Sequence, residues 1–174
     1  MDKHMQPLII LGSARSDGNT RQAVEYLKTL HDCELLDLND WNFSYYDYQH
    51  RNREDDFIRI IERVLQHDTL IFASPIYWYT MSALMKTFFD RLSDLLKIHK
   101  EKGRQLRGKT MCVVSCNGDA EDYPSFAKPF ELSADYLGMH YGGYTHTWVS
   151  QGELSTVAKQ GLVKLALQLQ KTSK

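Results

Sequence analysis

The chain has 174 residues, 43% of them hydrophobic and 25% charged, which suits one core and a single domain over residues 1–174. Its 21 Lys and Arg against 22 Asp and Glu leave a net charge of −1, too weak a field to grip nucleic acid or an acidic membrane surface. Three cysteines, Cys33, Cys112 and Cys116, are too few and too scattered for a secreted disulfide scaffold, so a cytoplasmic location is expected.

Residues 1–7 lack the basic start, apolar stretch and cleavage site of an export signal. Pro7 to Leu11 is a short branched apolar run that stops at Gly12, as a strand buried on both faces does. From Gly18 onward, Ala23, Val24, Leu27 and Leu30 form an apolar stripe on a helix ending near His31. Cys33 to Leu38 reads as a second strand, and Phe57, Ile58, Ile61, Val64 and Leu65 mark a second helix. Thr69 to Ala73 is a third strand, followed by a helix from about Ser82 to Leu96. The uncharged run from Thr69 to Met85 falls just short of a membrane span, and Pro75 near its middle divides it into strand, loop and helix start.

Lys97 to Lys109 holds six Lys or Arg and one Glu, with Gly103 and Gly108 as breakers, and reads as a solvated loop or a contact for a nucleotide 2′-phosphate. Thr110 to Ser115 is a fourth strand, Pro124 to Leu137 a helix stopped by Gly138, and His140 to Val149 a final strand. Leu154 to Leu169 closes the chain as an amphipathic helix. Five strands alternating with helices predict a doubly wound, parallel α/β sheet with helices on both faces. Ligands of such sheets sit beyond the carboxyl ends of the strands.

Three loops lie there. Gly12 to Thr20 joins a strand to a helix start whose unpaired N–H groups favour an anion. Ser13, Ser16, Asn19 and Thr20 offer short hydrogen-bonding side chains, Arg15 a charged fork, and Gly18 a tight approach. The loop suits a phosphate, or else it is an ordinary helix start capped by Asp17 or Asn19 with solvated serines. It matches neither the Walker spacing nor G-x-G-x-x-G. Ala73 to Thr80 carries Pro75, Ile76, Tyr77 and Trp78, which suit a flat aromatic ligand or simple packing under a loop. Ser115 to Asp119, with Asn117 and Gly118, reads either as the edge of a ring site or as a plain turn.

The ordered set GSARSDGNT, SPIYWYTMSALMKTFFDR and VVSCNGD resembles the NAD(P)H-dependent FMN reductase-like family of flavodoxin-fold oxidoreductases, over about residues 6 to 150. The resemblance implies a flavodoxin-like domain in which Ser13, Arg15, Ser16, Gly18, Asn19 and Thr20 hold the FMN phosphate. It implies that Pro75, Ile76, Tyr77 and Trp78 line the isoalloxazine and that Asn117 and Gly118 close its other side. It further implies electron transfer from NADH or NADPH through FMN to a small acceptor such as a quinone, azo or nitro compound, or free flavin. A homodimer is expected with it.

No side-chain acid or base is compelled by such chemistry. A non-catalytic FMN carrier and a flavin-free interaction protein on the same fold are the rivals. Electron shuttles dock through strongly acidic faces, which this near-neutral chain lacks. Iron–sulfur relatives carry a compact cysteine motif after the second strand, where this chain has Trp41, Phe43, Tyr45, Tyr46 and Tyr48, so no such cluster is expected. That aromatic stretch is too apolar for an exposed loop and predicts burial against a partner or the flavin. The seven histidines show no metal-ligand spacing. Cys112 and Cys116, four strand steps or about 13 Å apart, read as one core and one loop residue. Lys86, Asp90 and Arg91 read as a surface ion pair or a dimer contact.

Overall fold

The computed structural model describes residues 6–172, so the first five residues of the segment read for an export signal lie outside the described residues. Its strands are β1 (Leu8–Leu11), β2 (Glu34–Asp37), β3 (Thr69–Pro75), β4 (Thr110–Asn117), β5 (His140–Ser150) and β6 (Glu153–Leu154). They form one sheet in the order β2-β1-β3-β4-β5-β6. The first five run parallel; β6 is antiparallel to β5, pairing Val149 with Leu154 and Ser150 with Glu153. The sheet therefore has six strands where five were expected. Leu154, expected in the last helix, belongs to β6, and α6 (Thr156–Thr172) begins beyond Ser155, whose Oγ accepts from the Ala158 N–H at 3.0 Å.

Alternation along the strands divides the core. Leu8, Ile10, Leu70, Phe72, Met111 and Val113 face α2 (Phe57–Val64), α3 (Ala83–Lys97) and α5 (Pro124–Leu137). Ile9, Leu11, Ile71, Ala73, Cys112 and Val114 face α1 (Asn19–Leu30) and α6. Both faces are covered, which is why β1 reads as an unbroken apolar run. Gly138 ends α5 with φ 70°, a left-handed cap that glycine adopts freely. At the outer edge, the β4–β5 register shifts at Met111/Cys112, Gly143 takes φ 107°, and Gln168 of α6 donates to the Gly142 carbonyl at 2.6 Å.

The basic segment 97–109 is not a plain loop, because Lys100–Arg104 forms the short helix α4. Gly103 is no breaker: a Cβ there would stand 2.4 Å from the Leu95 carbonyl oxygen, so glycine permits α4 to lie against α3. Lys109 Nζ donates to the carbonyls of Leu65 and His67, and Thr110 N–H to Asp68, which places the segment at the amino ends of the strands. A nucleotide bound at the carboxyl ends of the same chain lies at the opposite edge.

Arg91 departs furthest from expectation. Lys86 and Asp90 do form an exposed pair at 2.6 Å, but Arg91 is 2% exposed. It shares the inner stripe of α3 with Phe88, Leu92 and Leu95. Its Nε donates to Asp94, Nη1 to Asp55 and the Ser44 carbonyl, and Nη2 to Asp55 and the Asn52 carbonyl, all within 3.1 Å. The guanidinium also covers the Phe57 ring at 4.6 Å. Asp94 takes His50 Nδ1 at 2.7 Å as well. The guanidinium thereby anchors the segment 41–56. Trp41 and Phe43 of that segment pack on the core, whereas Tyr45 and Tyr48 are 70% and 89% exposed.

Burial works against the charge on Asp55, but Arg91 and the backbone N–H groups of Ser44 and Phe57 outweigh it and hold the carboxyl below its ordinary range. A depressed acid stabilises the fold above its unfolded pKa, near 3.9, and that contribution is lost as pH falls through the folded value. Arg91→Met should cost about 3–5 kcal/mol in urea unfolding at neutral pH, because it strands two carboxylates. The parent's stability should fall below about pH 4 more steeply than the variant's.

Candidate functional site

Gly12 prolongs β1, donating its N–H to the Ala73 carbonyl at 2.9 Å. Its own carbonyl accepts from Ser82 Oγ at 2.6 Å, and the same oxygen caps α3 by accepting from the Met85 N–H at 3.1 Å. Ser82 N–H in turn donates to Ser74 Oγ at 3.0 Å. A Cβ on Gly12 would meet Met85 Cβ at 2.9 Å, so the loop can approach α3 this closely only with glycine. One serine joins β1, β3 and α3.

The following carbonyls are held as well. Asn39 Nδ2, oriented by Asp37, donates to the Ser13 carbonyl at 2.6 Å, and Arg21 Nη1 donates to that of Ser16 at 3.4 Å. The carbonyls of Gly12, Ser13 and Ser16 are thus engaged by side-chain donors. The N-cap of α1 is Gly18, which has no side-chain cap, so capping by Asp17 or Asn19 does not occur. Arg15 lies across it: a Cβ on Gly18 would stand 3.4 Å from Arg15 Nη2. Arg15 has no ion-pair partner among the described residues. A guanidinium over the positive end of a helix repels unless an anion sits between them.

Ser13, Arg15, Gly18, Asn19 and Thr20 line a cavity of about 200 Å³ together with Pro75, Ile76, Tyr77, Cys116, Asn117 and Gly118. The three loops that the sequence singled out therefore meet. Of the residues read as the site, Ser16 and Trp78 do not line the cavity. Ser16 is exposed with its carbonyl held by Arg21. Trp78 and Tyr79, at φ 47° and 66°, form a tight turn closed by the Tyr77 N–H to Thr80 carbonyl bond at 2.9 Å and its reciprocal at 3.1 Å. That turn carries Trp78 out to 91% exposure. Two aromatic residues in the left-handed region store about 1–3 kcal/mol each. Tyr79 is braced by the Tyr123 ring at 5.0 Å and by Ser125 Oγ on its carbonyl at 3.3 Å.

Cys116 was read as a loop residue but is buried in β4, and Asn117 ends that strand. Burial raises the pKa of the Cys116 thiol and keeps it protonated at neutral pH. Below the cavity, Ser115 Oγ lies 2.7 Å from Tyr144 Oη and 2.8 Å from His146 Nδ1, and Tyr144 donates to Asp122 at 2.8 Å. Burial raises the Tyr144 phenol, and Asp122 adds to it, so it remains a donor. Sequence reading missed this cluster because it joins two strands, and only their register brings it together.

Residues 5–149 match the model of a family described as NADPH-dependent FMN reductase. The chain belongs to that family. Its chemistry is accordingly that of an FMN-dependent oxidoreductase that draws on NAD(P)H. The chain is 33% identical over 150 residues, 80% of its length and 83% of the other's, to YwqN of Bacillus subtilis (strain 168), named as an NAD(P)H-dependent FMN-containing oxidoreductase. A solved Trp repressor binding protein from Bacillus subtilis superposes with TM-score 0.75 at 29% identity, covering 92% of this chain and 97% of that one. A Bacillus anthracis FMN-dependent NADH-azoreductase in complex with FMN shares the fold, with TM-score 0.64 at 13% identity, covering 97% of this chain and 100% of that one.

Ser82→Ala should lower stability by about 1–2 kcal/mol through loss of the α3 cap. It should also weaken FMN retention, since the Gly12 carbonyl loses its donor. Urea unfolding of apoprotein and flavin titration measure the two effects separately.

Proposed function

We propose that this chain, as one flavodoxin-like domain, binds FMN in the cavity at the carboxyl ends of β1, β3 and β4 and reduces small planar acceptors at the expense of NADH or NADPH. The observation that carries this reading is the unpaired Arg15 guanidinium over the uncapped start of α1, which fits a phosphate. Ser13 and Thr20, both nearly buried, flank that position, and Asn19 and Gly18 supply its backbone. Tyr77 provides a flat wall, Pro75 and Ile76 hold the chain extended beside it, and Asn117 and Gly118 close the far side.

Bound in this cavity, FMN would supply two-electron redox chemistry between the pyridine nucleotide and a quinone, azo or nitro compound, or free flavin. The protein orients the ring and holds its phosphate. No side-chain acid or base is assigned to the transfer. Trp78, held out on its strained turn, is placed to meet whatever stacks on the exposed ring rather than the ring's own anchor. Three free, buried cysteines support a cytoplasmic setting. Among the described residues no helix is long and apolar enough to cross a membrane.

The working unit is a homodimer in which α3 lies at the interface. The exposed Tyr45 and Tyr48 beside α3 support this, as does the uncovered apolar groove on its other flank. Light scattering should give twice the chain mass, and a monomer at working concentration would remove this part of the reading.

Two substitutions separate anchoring from turnover. Arg15→Ala removes a charge-assisted contact worth about 1.5–3 kcal/mol, so FMN affinity should fall roughly ten- to a hundredfold. Turnover should largely return at saturating FMN. Trp78→Ala should keep FMN and alter turnover or acceptor preference. Flavin titration and anaerobic oxidation of NADH and NADPH, on variants of unchanged circular dichroism, decide both. A parent that binds FMN but never oxidises NAD(P)H would instead be a carrier.

A further inference from the structure

The edge strand β2 lies beside β1, and their register sets its last residue, Asp37, next to Leu11, one residue before the 12–20 loop begins. Asp37 is buried. Its Oδ1 accepts from the Asn39 N–H at 3.0 Å and from Asn39 Nδ2 at 3.2 Å, and its Oδ2 lies 3.6 Å from Arg21 Nη1. Asn39 Nδ2 donates onward to the Ser13 carbonyl at 2.6 Å, and Arg21 Nη1 to the Ser16 carbonyl at 3.4 Å. One carboxylate thus stands behind both side chains that grip the loop after Gly12. The Asn39 amide has a single workable orientation there, because a carboxylate and a carbonyl can only accept.

In a planar trans peptide the carbonyl and the N–H of the next residue point to opposite sides. Holding the Ser13 and Ser16 carbonyls therefore turns the N–H groups of Ala14 and Asp17 away from Asn39 and Arg21, and neither N–H has a partner among the described residues. The carboxylate fixes the direction of two donors. Judged by charge alone it is badly placed, since a negative group behind an anion site repels the anion, and the more so when buried. Capping the turn Leu38–Asp40 needs only the bond to the Asn39 N–H, which a neutral serine or asparagine supplies equally well. A carboxylate adds acceptor sites on two oxygens with no donor among them, enough to orient an amide and a guanidinium together.

We propose that Asp37 is a positioning residue for the phosphate of FMN, setting the 12–20 loop through Asn39 and Arg21, so that its negative charge strengthens the binding of an anion it does not touch. This rests on the phosphate reading of the loop given above and adds the residues that shape the loop from behind. Neither Asp37 nor Asn39 lines the cavity. Arg15 brings charge to the anion; Asp37 brings direction to the backbone around it.

The test titrates the full-length chain, freed of flavin, with FMN and with riboflavin, which has the same ring and no phosphate, and follows flavin fluorescence. Asp37→Ala and Asn39→Ala should each weaken FMN binding roughly tenfold and leave riboflavin at the parent's affinity. Unchanged riboflavin binding also shows that the cavity has folded. By charge alone Asp37→Ala would bind FMN more tightly, so the two explanations differ in sign. A carboxylate that only caps the turn would lower stability in urea and leave the ratio of the two affinities as it was. FMN affinity in Asp37→Ala equal to or above the parent's would overturn the proposal, and so would a parallel loss of both flavins. If Asp37→Ala does not fold, Asn39→Ala decides alone, because it keeps the buried carboxylate and removes only its reach to Ser13; unchanged FMN affinity there overturns the proposal. A parent that binds riboflavin as tightly as FMN would overturn the phosphate reading itself.

Discussion

The Ser82 hydroxyl is the joint on which the carboxyl edge depends. A buried hydroxyl that donates to one backbone carbonyl and accepts from one backbone N–H has its hydrogen-bonding capacity well used and little freedom to turn. Because it links Gly12 to the first turn of α3, the start of the Gly12–Thr20 loop cannot move without disturbing α3. Because Ser74 holds the Ser82 N–H, the end of β3 is tied to the same point. The loop that lines the cavity inherits its position from the most deeply buried part of the sheet.

That rigidity gives the electrostatics of the loop their use. A guanidinium held over the positive end of a helix is a poor arrangement for an empty protein and a good one for an anion complex. Donors fixed before the ligand arrives lose little freedom on binding, so more of the interaction appears as affinity. The same arrangement couples occupancy to stability: a ligand bound only by the folded chain shifts the folding equilibrium by mass action. A ligand held at this loop and the fold would in this sense form one thermodynamic unit.

What could be read from sequence follows from which physical signals are local. The core strands and the crossover helices were legible because strands covered on both faces become unbroken apolar runs and helices carry a stripe. The loop from Gly12 to Thr20 was legible as one wall of the cavity because its residues are contiguous, although Ser16 lies outside it. Arg91 was not. It follows Asp90 in the sequence and is indistinguishable there from a surface cation, and its partners Asp55 and Ser44 lie 36 and 47 residues away. Helix phase held the one available signal, since position 91 falls in the stripe of Phe88 and Leu95. The two residues of β6 were too short for any period to reveal, and α4 was masked by Gly103, whose role is a close approach rather than a break. Trp78 was misplaced because aromatic character says nothing of a left-handed backbone that turns the ring outward.

The outer edge of the sheet carries a different consequence. A long final strand with one side uncovered is a template on which another chain can add, and β6 covers only its last two residues. Along β5 the shifted register and the left-handed Gly143 bend the strand out of a flat ladder, and Gln168 occupies the Gly142 carbonyl. An incoming strand would have to displace that amide and straighten that bend. The edge resists runaway growth into aggregates through geometry and one glutamine.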